Sequence, residues 1–224
     1  MHPFITIGNI TFESYTLMIN LGMLIGLFST WWLLERYCEK ERFCWKLLLF
    51  LIGILLVGIP FSHFLKNLFG GSEDGTHFLG RVLLICVFTP AFLQLFWKEE
   101  SGRLQAANAV AMYFVIQHFF DRIGCWMNGC CGGIYIDWLN MKFPSQLFEA
   151  FMMAALGAAL AVRIRKGRAF FFQTGMGFAA VIFVSEFLID QPELGRVLGL
   201  TSVQFGAMIL LVWGIAGLLR IRKI

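Results

Sequence analysis

Seven apolar stretches that carry few or no charges most constrain how this chain can fold. A helix needs roughly 20 mostly apolar residues to cross the hydrocarbon core of a bilayer, and each stretch is close to that length. The shortest reaches it if Arg81, at its start, extends toward the interface. We therefore predict an all-α polytopic membrane protein, with residues 1–224 forming one domain of seven transmembrane helices. The stretches are 14–34, 47–65, 82–97, 104–120, 143–162, 169–189 and 197–219.

The composition agrees with a membrane protein and excludes an ordinary soluble domain. Hydrophobic residues make up 58% of the chain and charged residues only 14%, whereas charged residues make up about 25% of a soluble protein. The net charge of +4 does not indicate a nucleic-acid partner, because the lysines and arginines lie in clusters between the apolar stretches. The first 13 residues contain no lysine or arginine, so we expect no cleavable signal peptide.

The lysines and arginines are divided unevenly between the two sides that seven spans would create. Lys and Arg concentrate in cytoplasmic loops of membrane proteins. The distribution predicts an outer N-terminus and a cytoplasmic C-terminus, with residues 121–133 on the outer side. The predicted outer side carries only Lys66, Arg81, Arg122, Lys142 and Arg196. The predicted cytoplasmic side carries Arg36, Lys40, Arg42, Lys46, Lys98, Arg103, Arg163, Arg165, Lys166, Arg168, Arg220, Arg222 and Lys223.

The stretch 121–133, after the fourth span, has the strongest functional signal. It holds an arginine, an asparagine, three cysteines and four glycines. Polar groups at membrane depth are costly and mark function by default. Spacings of four and three place His118, Arg122 and Cys125 on one helix face. A histidine can act as a general base near neutral pH, and the planar arginine side chain suits a phosphate.

Three interpretations remain open for Cys125, Cys130 and Cys131. They could be inert apolar residues, because free cysteine is commonly buried. They could be nucleophilic or redox-active thiols beside the positive charge of Arg122. They could bind a metal with His118, but the chain has no matching pair of C-x-x-C elements, so the spacing does not favour one and we expect no metal.

The fifth span begins with a second polar group. Gln146 and Glu149 are three residues apart and share a helix face. A buried glutamate needs a partner, and Arg122 is the obvious candidate, either in a structural ion pair or within a site. Further polar residues gather at the predicted outer ends of other spans and indicate a site open to the outer leaflet: Tyr15, His77, Arg81, Glu186 and Gln204.

Two short elements resemble bacterial prolipoprotein diacylglyceryl transferase. The first is Arg122-Ile123-Gly124 followed by Asn128-Gly129, and the second is Pro144-Ser145-Gln146-Leu147 followed by Glu149. Tyr15, Glu186-Phe187 and Gln204 extend the resemblance over nearly the whole chain. The family has seven spans with an outer N-terminus and a cytoplasmic C-terminus, which matches the predicted topology.

The resemblance implies a multi-pass enzyme of the bacterial plasma membrane, with no cofactor. It would transfer a diacylglyceryl group from phosphatidylglycerol to the lipobox cysteine thiol of a preprolipoprotein, and glycerol phosphate would leave. Arg122 would clamp the phosphate, and Asn128 and Gly129 would shape the headgroup site. The remaining residues would line that site: Tyr15, Gln146, Glu149, Glu186 and Gln204.

The chain departs from the family pattern at several positions. Cys125 stands where the family has asparagine, and Cys130 where it has glutamate. The family histidine falls at Leu79, two residues from His77. The position of a second family arginine falls at Ile182, which leaves Arg81 and Arg196 as candidate replacement clamps.

Two alternative functions follow from these departures. A related lipid or acyl transferase could use Cys125, Cys130 or Cys131 in a covalent intermediate. A non-catalytic lipid-binding or thiol redox-sensing membrane protein is the other alternative. A cysteine-to-serine series separates them, because only a covalent mechanism predicts complete loss of activity at one of these positions.

Overall fold

The computed structural model describes residues 3–8, 10–37, 46, 49–50, 52–58, 60–61, 64, 80, 82–166, 170–190 and 199–221. Within them the chain is mostly helical. The helices are α1 Ser14–Tyr37, α2 Thr89–Phe96, α3 Glu100–Asn128, α4 Ser145–Arg165, α5 Phe171–Ser185 and α6 Ser202–Ile221. Short π-helical segments run over Ile54–Gly58 and Leu84–Phe88, and 3₁₀ turns over Asp137–Leu139 and Glu186–Leu188. Two antiparallel hairpins complete the fold, β1 Phe4–Ile7 with β2 Ile10–Glu13 and β3 Tyr135–Ile136 with β4 Met141–Lys142.

The prediction of a polytopic all-α membrane protein is confirmed. Among the described residues, four helices are long and apolar enough to cross a membrane, namely Ser14–Arg36, Ser145–Arg165, Phe171–Leu188 and Ser202–Arg220. Each of these helices largely coincides with one of the apolar stretches found in the sequence. Parts of the stretch 47–65 lie outside the described residues, and the count of seven spans and their orientation stay predictions.

Helix α3 forms the centre of the bundle. It is 29 residues long, which corresponds to about 43 Å at the usual rise of an α-helix. A continuous run in its first half, Ala106 to Val115, is buried. Alanine dominates the start of this run and lets neighbouring helices come close. Asn108, fully buried within it, accepts a hydrogen bond from the backbone N–H of Phe170 at 2.9 Å.

Helix α1 packs against α3 through glycines one helical turn apart. A Cβ atom at Gly22 would lie 2.7 Å from Cβ of Phe120, and one at Gly26 would lie 2.9 Å from the ring of Tyr113. Small residues four apart allow close helix approach in membrane proteins. This contact fixes α1 along the middle of α3, next to the C-terminal half in which the polar residues of the sequence gather.

Candidate active site

A buried ionic cluster joins the C-terminal half of α3 to the first turns of α4. Glu149 is its centre. Its Oε1 accepts a hydrogen bond from Nε of Arg122 at 2.9 Å and lies 2.5 Å from Nε2 of His118. Its Oε2 accepts a hydrogen bond from the hydroxyl of Ser185 on α5 at 2.9 Å. Three helices therefore meet at one carboxylate.

The cluster confirms the pairing of Arg122 with Glu149 expected from the sequence. Glu149 and His118 are each 2% exposed or less, and the side chain of Arg122 is 16% exposed. A buried charge needs a partner and hydrogen bonds to offset its lost hydration, and this carboxylate has contacts at both oxygens. His118 and Arg122, which were expected to share a helix face, also lie close together. Nε2 of His118 is 3.5 Å from Nε of Arg122.

Asp121 adds a second carboxylate beside this cluster. Its Oδ2 lies 3.8 Å from Nδ1 of His118, and its Oδ1 accepts a hydrogen bond from the hydroxyl of Tyr15 at 3.0 Å. Tyr15 was predicted from the sequence as a site residue. Its hydroxyl contacts the Asp121 carboxylate and so connects α1 to the polar end of α3.

Three thiols form a separate cluster where α3 ends. The sulfur atoms of Cys125, Cys130 and Cys131 all lie within 4.8 Å of one another. Cys125 is buried in the last turn of α3, while the other two are half-buried in the following loop. Gly129 turns the chain with φ of 79°, a left-handed value that glycine adopts readily. This turn brings Cys130 and Cys131 back beside Cys125.

The start of α4 holds this loop in place. The side-chain amide of Gln146 donates a hydrogen bond to the carbonyl of Cys130 at 2.5 Å, and the hydroxyl of Ser145 donates one to the carbonyl of Cys131 at 3.0 Å. Cys131 itself has φ of 54°, in the left-handed region that disfavours a residue with a Cβ atom. Such strained residues persist only where their surroundings fix them, and they occur often at functional sites.

Cys131 also has an unusual thiol. Side-chain hydrogen bonding with Cys125 and Cys130, together with the nearby positive charge of Arg122, holds the pKa of Cys131 well below its ordinary range. Hydrogen bonds to the charged form of a group favour that form. Within the cluster the charged form is therefore favoured at Cys131.

A bridge between two loops closes the site on its other side. Gly133 pairs with Ile189, the N–H of Ile134 donates to the carbonyl of Leu188 at 2.9 Å, and the N–H of Asp190 donates to the carbonyl of Gly132 at 3.0 Å. A Cβ atom on Gly133 would lie 2.2 Å from the carbonyl oxygen of Phe143. Gly133 is therefore required for the loop after α3 to lie against both the start of α4 and the end of α5.

These loops surround a cavity of about 760 Å³. Pockets for small molecules usually measure about 300–1,000 Å³ and combine apolar walls with a few polar groups. Here the polar groups are Gln146, the two loop cysteines, and the exposed pair of Lys142 and Asp190, which are 3.1 Å apart. Apolar contributions to the wall come from Trp126, Met141, Phe143, Pro144 and Ile189.

The other sequence-predicted residues occupy different positions. Asn128 is exposed at the last residue of α3. Glu186 is buried near Arg122 and Glu149, close enough for their charges to interact. The amide of Gln204 caps α6: its Oε1 accepts from the N–H of Thr201, whose hydroxyl accepts from the N–H of Gln204. His77 and Arg81, predicted on the second loop, lie outside the described residues.

The sequence did not reveal Ser185 as a partner of Glu149. Its only signal is its place beside Glu186 in the sixth apolar stretch, and nothing in the spacing shows that it faces α4. The ion pair of Lys142 and Asp190 at the cavity mouth was also missed, because 48 residues separate its members.

The arrangement places a fixed guanidinium near thiols that border a cavity. Both contacts of Arg122 within the described residues use Nε, so its two Nη groups remain available to an anion. Arginine binds phosphate through paired N–H groups. The site can therefore hold a phosphate ester and bring a thiol beside it.

Comparison with known proteins gives one family. No curated protein matches the chain significantly. The sequence model of prolipoprotein diacylglyceryl transferase matches residues 3–220, nearly the whole chain. The resemblance drawn from the arginine and glutamate elements is thereby confirmed. The chain belongs to the prolipoprotein diacylglyceryl transferase family and is a transferase of lipoprotein biosynthesis, acting on prolipoprotein and phospholipid substrates.

Proposed function

We propose that this enzyme transfers the diacylglyceryl group of phosphatidylglycerol to the lipobox cysteine of a preprolipoprotein, at the outer face of a bacterial inner membrane. The observation that carries the proposal is Arg122, which is held by the buried Glu149 and lies near Cys131, a residue that borders the cavity. The uneven distribution of lysine and arginine supports the outer location. In this reaction a thiolate sulfur attacks a glycerol carbon, a C–S bond forms, the C–O bond breaks, and glycerol phosphate leaves with the electron pair.

Arg122 stabilises the leaving group. Negative charge grows on the phosphate oxygen as the C–O bond breaks, and a guanidinium already in position lowers the energy of that state without reorganising. Glu149 holds Nε, which fixes the plane of the side chain. The Nη groups then face no competing partner among the described residues and bind the phosphate oxygens.

His118 serves as a positioning residue. It is 1% exposed, with Nε2 against Glu149 and Nδ1 toward Asp121. A general base must lie within hydrogen-bond reach of the proton that it removes, and both ring nitrogens already face carboxylates. His118 therefore orients Glu149, which in turn orients Arg122.

The cavity accommodates the polar parts of both substrates. Its volume of about 760 Å³ suits a glycerol phosphate headgroup together with a cysteine side chain, while the acyl chains remain in the bilayer. The Gln146 amide, Glu186 and the backbone beside Gly129 supply polar contacts for the headgroup. Asn128, at the end of α3, contributes a polar contact at the edge of the cavity. Tyr15 and Gln204 contribute indirectly, through the helix ends that they hold in place.

A covalent intermediate on an enzyme cysteine fits this reaction poorly. Attack by Cys125, Cys130 or Cys131 on the glycerol carbon would form a thioether, and a thioether sulfur is a poor leaving group for a second transfer. A cysteine intermediate suits acyl transfer, where a thioester forms instead. Intact-mass analysis after incubation with phosphatidylglycerol alone separates the two, because only a covalent route adds lipid to the enzyme.

The direct test uses purified protein in nanodiscs with phosphatidylglycerol and a lipobox peptide. Mass spectrometry of the peptide should show a diacylglyceryl gain that is lost in Arg122→Ala. Arg165→Ala is the matched control, because Arg165 is exposed at the far end of α4. No gain with any phospholipid donor would overturn the proposal.

A further inference from the structure

We propose that Cys125, Cys130 and Cys131 form a three-sulfur site for Zn²⁺, with a fourth position open to the cavity for the thiol of the acceptor peptide. The inference rests on the proposed function, since it names how that acceptor becomes a nucleophile. It differs from the sequence expectation, in which the spacing of the cysteines did not favour a metal.

The distances suit a zinc ion. Zn–S bonds measure about 2.3 Å in tetrahedral sites, which places the sulfur atoms about 3.8 Å apart. The three sulfurs here already lie within 4.8 Å of one another. Rotations about the Cα–Cβ bonds can change these distances without moving the backbone.

The backbone that carries the sulfurs is fixed by groups other than a metal. Cys125 lies in the last turn of α3, and the N–H groups of Gly129 and Cys130 both donate to its carbonyl. Gln146 and Ser145 hold the carbonyls of Cys130 and Cys131. A rigid supporting shell is what a functional metal site requires.

The left-handed backbone of Cys131 is a second, independent observation. A φ of 54° disfavours any residue with a Cβ atom, yet the chain has cysteine here and glycine at the next two positions. The strain is retained at the residue that completes the sulfur cluster. This fits a position at which the side chain is needed for function.

The three sulfur donors and the nearby positive charge indicate which metal ion the site would bind. Three sulfurs without a carboxylate among them favour a soft or borderline cation such as Zn²⁺. Three thiolates with Zn²⁺ leave one net negative charge. The guanidinium of Arg122 is near enough to Cys125 and Cys131 to interact with their charges and offsets it.

The cluster has an open side. Structural zinc sites are closed by four protein ligands, whereas catalytic sites keep one position for water or substrate. Among the described residues three sulfurs make up the cluster, and Cys130 and Cys131 border the cavity while Cys125 lies behind them. A fourth ligand therefore arrives from the cavity.

Binding at that position activates the acceptor. A thiol that coordinates Zn²⁺ loses its proton, which passes to water. The bound thiolate sulfur then attacks the glycerol carbon, the C–S bond forms, and the electron pair of the C–O bond leaves with glycerol phosphate beside Arg122. The product is a neutral thioether, a weaker ligand than a thiolate, so it leaves the metal and frees the position.

Cobalt substitution tests the site directly. Reduced protein in nanodiscs, treated with chelator and titrated with Co²⁺, should show a sulfur-to-cobalt charge-transfer band that saturates at one ion per chain and is displaced by Zn²⁺. Cys130→Ser should weaken Zn²⁺ binding by more than about 100-fold, beyond the loss caused by outer-shell changes. Cys86→Ser is the control, since Cys86 lies outside the cluster in the segment Leu84–Phe88. Absence of the band in the wild type would overturn the site.

A separate measurement tests whether the thiol of the acceptor peptide binds the metal. A lipobox peptide should shift the ligand-field bands of bound Co²⁺, and the same peptide with serine in place of cysteine should not. Equal spectra with both peptides would overturn the acceptor role. In case Cys130→Ser fails to fold, Zn²⁺ should protect the three cluster cysteines of the wild type from alkylation and leave Cys86 unprotected, and equal labelling rates would contradict the proposal.

Transfer assays separate this inference from the proposed function. Full transfer to the peptide by metal-free protein would overturn the zinc role and leave the transferase standing. A Co²⁺ site that binds the cysteine peptide, without diacylglyceryl transfer from any phospholipid, would overturn the proposed function and leave the thiol-binding metal site standing.

Discussion

Arg122 on α3 donates its Nε–H to Oε1 of Glu149 on α4 at 2.9 Å. The carboxylate is 2% exposed, so the pair connects two helices where water is largely excluded. It also fixes the plane of the guanidinium near Cys131, which borders the cavity. The same contact therefore contributes to both stability and catalysis.

Removal of the Glu149 carboxylate should destabilise the protein strongly. Glu149→Ala leaves Arg122 as a buried charge without its partner, and breaking a buried pair costs about 3–5 kcal/mol. The free energy of unfolding, measured by denaturant titration in micelles, should fall by that amount. Asp190→Asn breaks the exposed pair with Lys142 and should cost at most about 1 kcal/mol. Equal losses in the two variants would contradict this account of the cluster.

Substitution of Arg122 by lysine tests whether the fork geometry matters. Lysine keeps the positive charge but has one nitrogen, which cannot hold Glu149 and also present two parallel donors to phosphate. We expect kcat/KM for diacylglyceryl transfer to fall by about 100-fold or more, the usual effect of losing a preorganised donor. Arg165→Lys should leave the rate unchanged. Wild-type kinetics in Arg122→Lys would mean that charge alone is sufficient.

Two adjacent glycines give a steric test of the loop bridge. At Gly133 a Cβ atom would meet the carbonyl oxygen of Phe143 at 2.2 Å, whereas at Gly132 the nearest atom is Cδ of Lys142 at 3.7 Å. Gly133→Ala should therefore lower the melting temperature and the transfer rate together. Gly132→Ala should stay close to wild type in both. The reverse order would show that the bridge is not close-packed.

The backbone strain at Cys131 predicts which of two substitutions that remove the thiol leaves the protein more stable. Glycine adopts the left-handed region without the penalty of about 1–2 kcal/mol that a Cβ atom adds. In metal-free protein, Cys131→Gly should therefore be more stable than Cys131→Ala by about 1 kcal/mol. Thermal unfolding in the same detergent measures the difference. An alanine variant at least as stable as the glycine variant would contradict the backbone assignment.

The sequence predicted the helices well because charge and hydropathy determine them. The apolar stretch 14–34 corresponds to Ser14–Tyr37, and 104–120 forms the middle of Glu100–Asn128. The helix ends differ because charged residues continue a helix beyond the membrane. The N-terminal hairpin was not predicted, since its two strands of four residues carry too little pattern.

The site was predictable where one helix sets the geometry. The shared face of His118 and Arg122 follows from helical spacing, and the partner of Glu149 follows from the cost of a buried charge. Helical spacing does not describe the turn after Asn128, so the closure of Cys131 onto Cys125 could not be found. Gln204 shows a different limit. Its position late in an apolar chain did not reveal that its amide takes part in capping α6, and its binding role stays a prediction.

The bridge between Gly133 and Ile189 gives the thiol cluster a mechanical property. Cys125 is carried by α3, while Cys130 and Cys131 are carried by a loop that is hydrogen-bonded to the end of α5 and the start of α4. Transmembrane helices tilt when bilayer thickness changes. The separation between Cys125 and Cys131 therefore depends on how α5 and the start of α4 stand relative to α3.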